Sequence, residues 1–272
     1  MRLFFTDETN LQPSPGAKFF VYGGLVIPLE RLVELDREVE TIRSDCGYRP
    51  GDELKFETRA RPKHVSVAQA TEAKRRLVAS CLALDCKFIV HIILHEIVRH
   101  QHADERVQGA ANYVLGRFNY YLNGIGEYGI CIVDRLPVSA QFKYLSDKFS
   151  FGLDIKGERT VRLDRIKLFA ASCINASHAH SAIDVVLGCF RYCINNPQNT
   201  EVAREMMLQV TKMMWHHYDS ATETYHVGGR GLITRPPLAE IKVAAYRVEY
   251  EALFTHINDL LKEGDERPQR SG

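Results

Sequence analysis

The sequence predicts an α/β protein with a mixed central sheet, helices on both faces and a helical C-terminal extension. Three observations carry this expectation. Residues 2–27 hold two apolar runs split by a proline-containing turn, which is a β-hairpin pattern. Apolar β-type runs then alternate with stretches of helical periodicity. From about residue 198 onward the periodicity is helical, apart from one glycine-rich loop.

The elements follow in order. Residues 2–6 form a first strand, ended by Asp7-Glu8, and 10–16 form a turn. Residues 18–27 form a second strand antiparallel to the first, in which Gly23-Gly24 marks a bulge or a close backbone approach. Pro28 opens a helix with Leu29, Leu32, Val33, Leu35 and Val39 on one side. Ser66 and Gln69 have capping-box spacing and start a helix that runs to about 85. A strand at 87–94, a helix at 103–122 and a buried strand at 129–133 follow, then a short helix at 139–149 and a strand at 161–170. Ser177 caps a helix that ends at Asn195. Helices over 200–217 and 238–262 flank a loop at 225–237. Residues 1–262 read as a single domain whose C-terminal third, about 198–262, is helical, and 263–272 read as a flexible tail.

Composition narrows the function classes. A chain of 272 residues can build one large core, and 45% hydrophobic with 25% charged residues is an ordinary globular balance. A formal net charge of +1 provides no global field for nucleic acid or membrane, so any polyanion contact must be local. The seven cysteines include no Cys-x-x-Cys pair, and no secretory signal precedes them. A reducing, cytoplasmic setting without disulfides or a zinc site of common spacing is expected. No apolar run reaches the roughly 18 residues of a membrane span.

Four acids stand out. Asp7 and Asp134 each terminate an apolar strand. Strand ends in open α/β sheets are where ligands sit. Two carboxylates at one edge repel unless a cation or proton lies between them, and hard oxygen donors suit Mg²⁺ or Mn²⁺. Glu53 lies in Gly51-Asp52-Glu53-Leu54-Lys55-Phe56. Asp184 lies mid-helix among Ala182, Ile183, Val185 and Val186, a costly place for a carboxylate without a partner or ligand. Taken singly, an acid after a strand is often a cap or turn former. The set of four outweighs its parts.

These residues carry a family resemblance. Asp7-Glu8-Thr9, Glu53-Leu54-Lys55-Phe56, the strand ending in Asp134 and the helix bearing Ser181-Ala182-Ile183-Asp184 are similar, in order and context, to the motifs of the domain-of-unknown-function 3800 family. The fourth motif matches only at its aspartate. The resemblance covers roughly residues 1–195. It implies a ribonuclease-H-like fold and nuclease activity in a prokaryotic defence or mobile-element setting. It further implies that Asp7 bridges two metal ions, with Glu53, Asp134 and Asp184 flanking it. Lys55 is then a candidate for a phosphate contact.

Other features weigh less. His95-Glu96-Ile97-Val98-Arg99-His100 is one residue too long for a zinc-protease helix, and His91 and His95 fall on one face of a strand. His180 shares a helix face with Asp184. Lys156, Arg159, Arg162, Arg165 and Lys167 lead toward Asp184 and form the expected phosphate-contacting track. Gly228-Gly229-Arg230-Gly231 lacks phosphate-loop spacing and reads as a turn.

The function expected is metal-dependent phosphodiester hydrolysis on nucleic acid, with Mg²⁺ or Mn²⁺ as cofactor. A phosphotransferase or phosphatase acting on a nucleotide or small phosphoester is one alternative. The other is a non-catalytic module that binds a protein partner or a second copy of itself.

Overall fold

The computed structural model of the chain describes residues 1–14, 16–134, 141–155, 159–172, 176–196 and 201–265. The core is a six-stranded sheet. Strands β1 (Arg2–Thr9) and β2 (Phe19–Pro28) form the expected antiparallel hairpin, followed by α1 (Leu32–Asp45), α2 (Val67–Ala83) and β3 (Lys87–Leu94). Next come α3 (Ala103–Gly124), β4 (Gly129–Val133), α4 (Gln141–Ser150), the small β5–β6 ribbon (Leu153–Ile155, Arg159–Val161) and β7 (Ile166–Ala171). The chain ends with α5 (His178–Asn195), α6 (Glu201–Met213), β8 (His217–Asp219), β9 (Thr224–His226), β10 (Leu232–Thr234) and α7 (Ala244–Asp265).

The strand order is β10-β3-β2-β1-β4-β7. Only β2 runs against its neighbours; the other five strands are parallel, so their carboxyl ends share one edge. Strand alternation sorts the side chains onto two faces. Leu3 and Phe5 of β1, Val21 and Leu25 of β2, and Phe88 and Val90 of β3 bury one face against α1, α2, α5, α6 and α7. Phe4, Phe20 and Ile89 bury the other against α3 and α4. The α/β class, the mixed sheet and the helices on both faces are thus as expected.

Helix α5 explains its own position. Of its residues, Ala182, Ile183, Val185, Val186, Leu187 and Phe190 are all buried, so apolar side chains surround the axis. Such a helix has no solvent face and must lie between layers. It packs on β1 and β2 below and on α1, α2 and α6 around it. The Ser66–Gln69 capping box that starts α2 is present in full.

Three local expectations are corrected. Leu29 and Val33 are exposed, and the inner side of α1 is Leu35, Val39 and Ile42. The C-terminal third is not wholly helical, because β10 arises from the expected 225–237 loop and pairs in parallel with β3. A three-residue strand has no alternation to read, and its partner edge lies more than a hundred residues earlier in the chain. Gly231 makes the docking possible, since a Cβ there would lie 2.6 Å from the Trp215 backbone nitrogen and 2.7 Å from its oxygen. Helix α7 continues to Asp265, so the tail expected from 263 is helical at its start, and 266–272 lie outside the described residues. Among the described residues, no helix is long and apolar enough to cross a membrane.

At Gly23-Gly24 the close-approach reading holds and no bulge interrupts the β1–β2 register. A Cβ on Gly24 would lie 2.2 Å from the Phe4 ring, which is itself stacked on Phe118 at 4.4 Å. That ring cannot swing away without unpacking α3. Gly24→Ala should therefore destabilise the fold by about 1–3 kcal/mol, the usual cost of overpacking. Thermal unfolding should show a drop of several degrees; an unchanged melting temperature would mean that the ring is free to move.

Candidate metal centre

The site grows out of one register. Strands β1 and β4 pair in parallel from Arg2↔Gly129 to Thr6↔Val133, and the Asp134 N–H donates to the Thr6 carbonyl at 3.2 Å. Asp7 and Asp134 therefore lie next to each other at the carboxyl edge. Alternation puts Asp7 on the face of Leu3 and Phe5 and Asp134 on the face of Ile130 and Ile132, all of which pack in the α5 core. Both acids thus face α5.

Asp184 comes down from that helix. His180, one turn earlier, meets the Phe5 ring edge-on at 5.2 Å. Asp184 is thereby carried to the level of Asp7, two residues further along β1. Its Oδ2 accepts a 2.6 Å hydrogen bond from the Phe56 N–H, which ties the Glu53–Phe56 segment to α5. Within that segment Lys55 Nζ lies 2.7 Å from Glu53 Oε2.

The electrostatics show that these groups feel one another. Burial pushes the Asp7 carboxyl well above its ordinary range, and Glu8, Asp184 and Asp134 add repulsion. The Glu8 N–H, donating to Asp7 Oδ1 at 2.8 Å, offsets part of this. Burial also raises Asp184, with Asp134 adding to the rise, while the Phe56 N–H, Lys55 and Arg191 oppose it. The Glu53 contact raises Lys55, and Asp184 and Asp134 raise it further. Burial lowers His180 although Asp134 favours its charged form, and neither of its ring nitrogens has a hydrogen-bond partner.

Asp7, Asp134 and Asp184 are therefore brought together, and Glu53 joins them through Lys55. As they stand, no three His, Cys, Asp or Glu side chains among the described residues converge closely enough to hold an ion. Like charges in a partly apolar setting turn to local donors instead: Asp7 to the Glu8 N–H, Asp184 to the Phe56 N–H, and Glu53 to Lys55. The donor set is still all hard oxygen, and two of its members are strained toward protonation. Both features fit a divalent ion.

Of the cations at the site, the sequence reading named Lys55 but gave no role there to Arg191 or Lys74. Arg191 lies two turns beyond Asp184 on α5, with its guanidinium 5.5 Å from the Phe56 ring and Nη1 donating to Asn10 Oδ1 at 3.2 Å. Lys74 lies over the same ring at 5.1 Å and donates to Thr58 Oγ1 at 2.7 Å. The spacing of Arg191 from Asp184 is a helical-face signal that the sequence does contain. The expected basic track is displaced. Arg165 and Lys167 flank the Tyr128 ring at 5.1 and 4.7 Å, beside the start of β4. Strand β7 carries the chain about 15 Å from there to the acidic edge, at ~3.3 Å per residue. Arg162 bonds the Ser150 carbonyl near that same amino edge, and Lys156 lies outside the described residues. His91 and His95 are buried on the α3 face, away from the acids.

The fold and site together define an α/β protein with an acidic centre at the carboxyl edge of a mixed sheet. No protein-family profile matches the sequence, and no curated protein is detectably similar to it, so the family resemblance rests on the four short motifs. Among solved structures, the chain is similar to ribonuclease H2 from Pyrococcus horikoshii, with 14% identity, a TM-score of 0.41, and coverage of 77% of this chain and 86% of that one. It is also similar to Bst-RNase HIII in complex with Mn²⁺, with 13% identity, a TM-score of 0.40, and coverage of 78% and 62%.

The raised carboxyl of Asp7 gives a signed pH dependence. An acid whose folded pKa exceeds its unfolded value, about 3.9, binds its proton more tightly when folded. It costs no stability below the unfolded pKa and an increasing amount as pH rises through the folded pKa. Without metal, Asp7→Asn should melt close to wild type near pH 4 and above it at pH 7. Asparagine keeps an oxygen for the Glu8 N–H, so packing survives. A mutant that melts lower at pH 7 would show that the carboxylate is held by an attraction.

Proposed function

We propose that the chain is a metal-dependent phosphodiesterase of ribonuclease-H-like type that acts on nucleic acid. Asp7, Asp134 and Asp184 hold Mg²⁺ or Mn²⁺, and Glu53 is the fourth carboxylate. The observation that carries this reading is the β1–β4 register, which puts two strand-end aspartates side by side, with Asp184 from the buried stretch of α5 acting on Asp7. The motifs shared with the domain-of-unknown-function 3800 family support the same reading.

A bound divalent ion supplies water of lowered pKa and neutralises charge on the reacting phosphate. The chain's own side chains do the remainder. Asp7, which feels both Asp184 and Asp134, would be the carboxylate best placed to be shared by the ions. Lys55 lies within electrostatic reach of Asp184 and Asp134, so a substrate phosphate at those acids is also within reach of its ammonium. Arg191 and Lys74 both lie against the Phe56 ring, and the Phe56 N–H to Asp184 bond ties the segment that carries Glu53 and Lys55 to α5. His180 stays neutral and fills the apolar floor beside Phe5.

A second reading has its own observation. With Arg165 and Lys167 at the far edge, the cations near the acids among the described residues are Lys55, Lys74 and Arg191. Such a compact set also suits a nucleotide or small phosphoester.

A panel of single-stranded and duplex DNA, RNA, hybrid and free nucleotides, each with Mn²⁺ or with EDTA, separates the readings. Metal-dependent cleavage of a polynucleotide is expected. Asp7→Asn, Asp134→Asn and Asp184→Asn should each cost more than the roughly 10–100-fold that loss of an outer-shell partner costs. Asp184→Asn should do so without lowering the metal-free melting temperature, since it removes a charge that burial disfavours at nearly constant volume. Hydrolysis of nucleotides alone would select the second reading. No turnover and no heat of Mn²⁺ binding would end both and leave a protein-interaction module.

A further inference from the structure

A second surface, apart from the acids, has a chemistry of its own. It follows the β10 side of the sheet, where α3 and the glycine-rich turn before β10 meet. Tyr113, Arg117 and Tyr120 are spaced four and three residues apart on α3 and so share one helix face. Arg230 and Arg235 arrive from either end of β10, and Trp215 from the segment after α6.

These groups alternate cation and ring. Arg235 lies 4.8 Å from the Tyr113 ring, Arg117 5.9 Å from Tyr120, and Arg230 5.8 Å from Trp215. Tyr120 and Trp215 are themselves 5.6 Å apart. Tyr120 is 52% exposed, so ring surface there is open to a ligand, whereas Tyr113 is already stacked on His91 at 5.2 Å and serves to hold Arg235. Among the described residues, none of the three arginines forms an ion pair with a carboxylate. Burial lowers Arg117, and repulsion from Arg235 and Arg230 lowers it further. Three guanidinium groups held together without an anion cost stability, and a polyanion relieves that cost.

We propose that this surface binds single-stranded nucleic acid, with Arg117, Arg230 and Arg235 on phosphates and Tyr120 and Trp215 on bases. A guanidinium lying against a ring keeps its N–H edge free for a phosphate. Aromatic faces need unstacked bases, which single strands offer and duplexes hide. The site also gives the Gly228–Gly231 turn a role. Close approach at Gly231 seats β10 and leaves Arg230 against Trp215.

The surface reaches the carboxyl edge at Arg235, one residue past β10. Strand β10 is three strands from β1, about 14 Å at ~4.8 Å per step. A bound strand can therefore extend toward the acids, and its relevance to cleavage rests on the phosphodiester reading above. Binding itself does not rest on that reading.

Trp215 is the chain's one tryptophan, so its fluorescence reports this surface directly. The full chain is titrated in EDTA with oligo-dT, oligo-U and a blunt DNA duplex of equal length. Anisotropy of a labelled strand is followed alongside tryptophan quenching. Either or both single strands should bind more tightly than the duplex and quench Trp215, and the two oligomers distinguish a DNA from an RNA ligand. Tyr120→Ala should weaken binding roughly 5- to 150-fold, the range for one stacked base, and Tyr120→Phe should restore it. Arg230→Ala should reduce the salt slope by about 0.7. Arg165→Ala, at the opposite edge, should change nothing. Equal duplex affinity, no quenching, or wild-type binding by folded Tyr120→Ala and Arg230→Ala would overturn the proposal. Because EDTA removes metal, these outcomes are separate from cleavage: a chain that cleaves with Mn²⁺ but shows no quenching keeps the catalytic reading and loses this one.

Discussion

Repulsion among carboxylates at the end of the β1–β4 ladder is the constraint on which the acidic edge depends. Parallel pairing continues through the Asp134 N–H to the Thr6 carbonyl, and this leaves Asp7 and Asp134 no freedom to separate along the strands. Alternation then turns both toward α5, where burial makes the Asp7 charge more costly. The ladder forces Asp7 and Asp134 together while Asp7 turns to the Glu8 N–H and Asp184 to the Phe56 N–H. A site built this way is set by backbone hydrogen bonds and is loaded by whatever neutralises it.

The second support is α5. Its all-round apolar surface holds it between the sheet and three helices, so Asp184 is placed by packing rather than by its own contacts. The Phe56 N–H then fastens a loop to that fixed carboxylate. Phe56 lies against Arg191 and Lys74, and its neighbours Glu53 and Lys55 become part of the site although no strand or helix carries them. Loop residues held by a rigid scaffold are where chemistry usually resides.

Legibility in the sequence followed the range of the interaction. The hairpin, the α2 cap and the anomalous Asp184 are local patterns, and each could be read from a few neighbouring residues. The pairing of Asp7 with Asp134 joins strands over a hundred residues apart, so sequence alone could propose it but not place it. The basic cluster failed for a related reason. Proximity along the chain to α5 was taken for proximity in space, yet an extended strand carries its two ends to opposite edges of the sheet. Arg191 was legible by helical spacing from Asp184, and Arg235 was not, because β10 is too short to announce itself.

Near-neutral net charge also takes on a different meaning once the charges are placed. The excess of one positive charge is an average over an edge where acids and cations mix and a β10 side where arginines predominate. Carboxylates gather on the α5 face of the carboxyl edge, and guanidinium groups without carboxylate partners gather on the β10 side. Fields decay over about 8–10 Å at physiological salt, less than the roughly 14 Å between β1 and β10. The two regions therefore act on a ligand separately and do not cancel. Total charge cannot convey that arrangement; the strand order does.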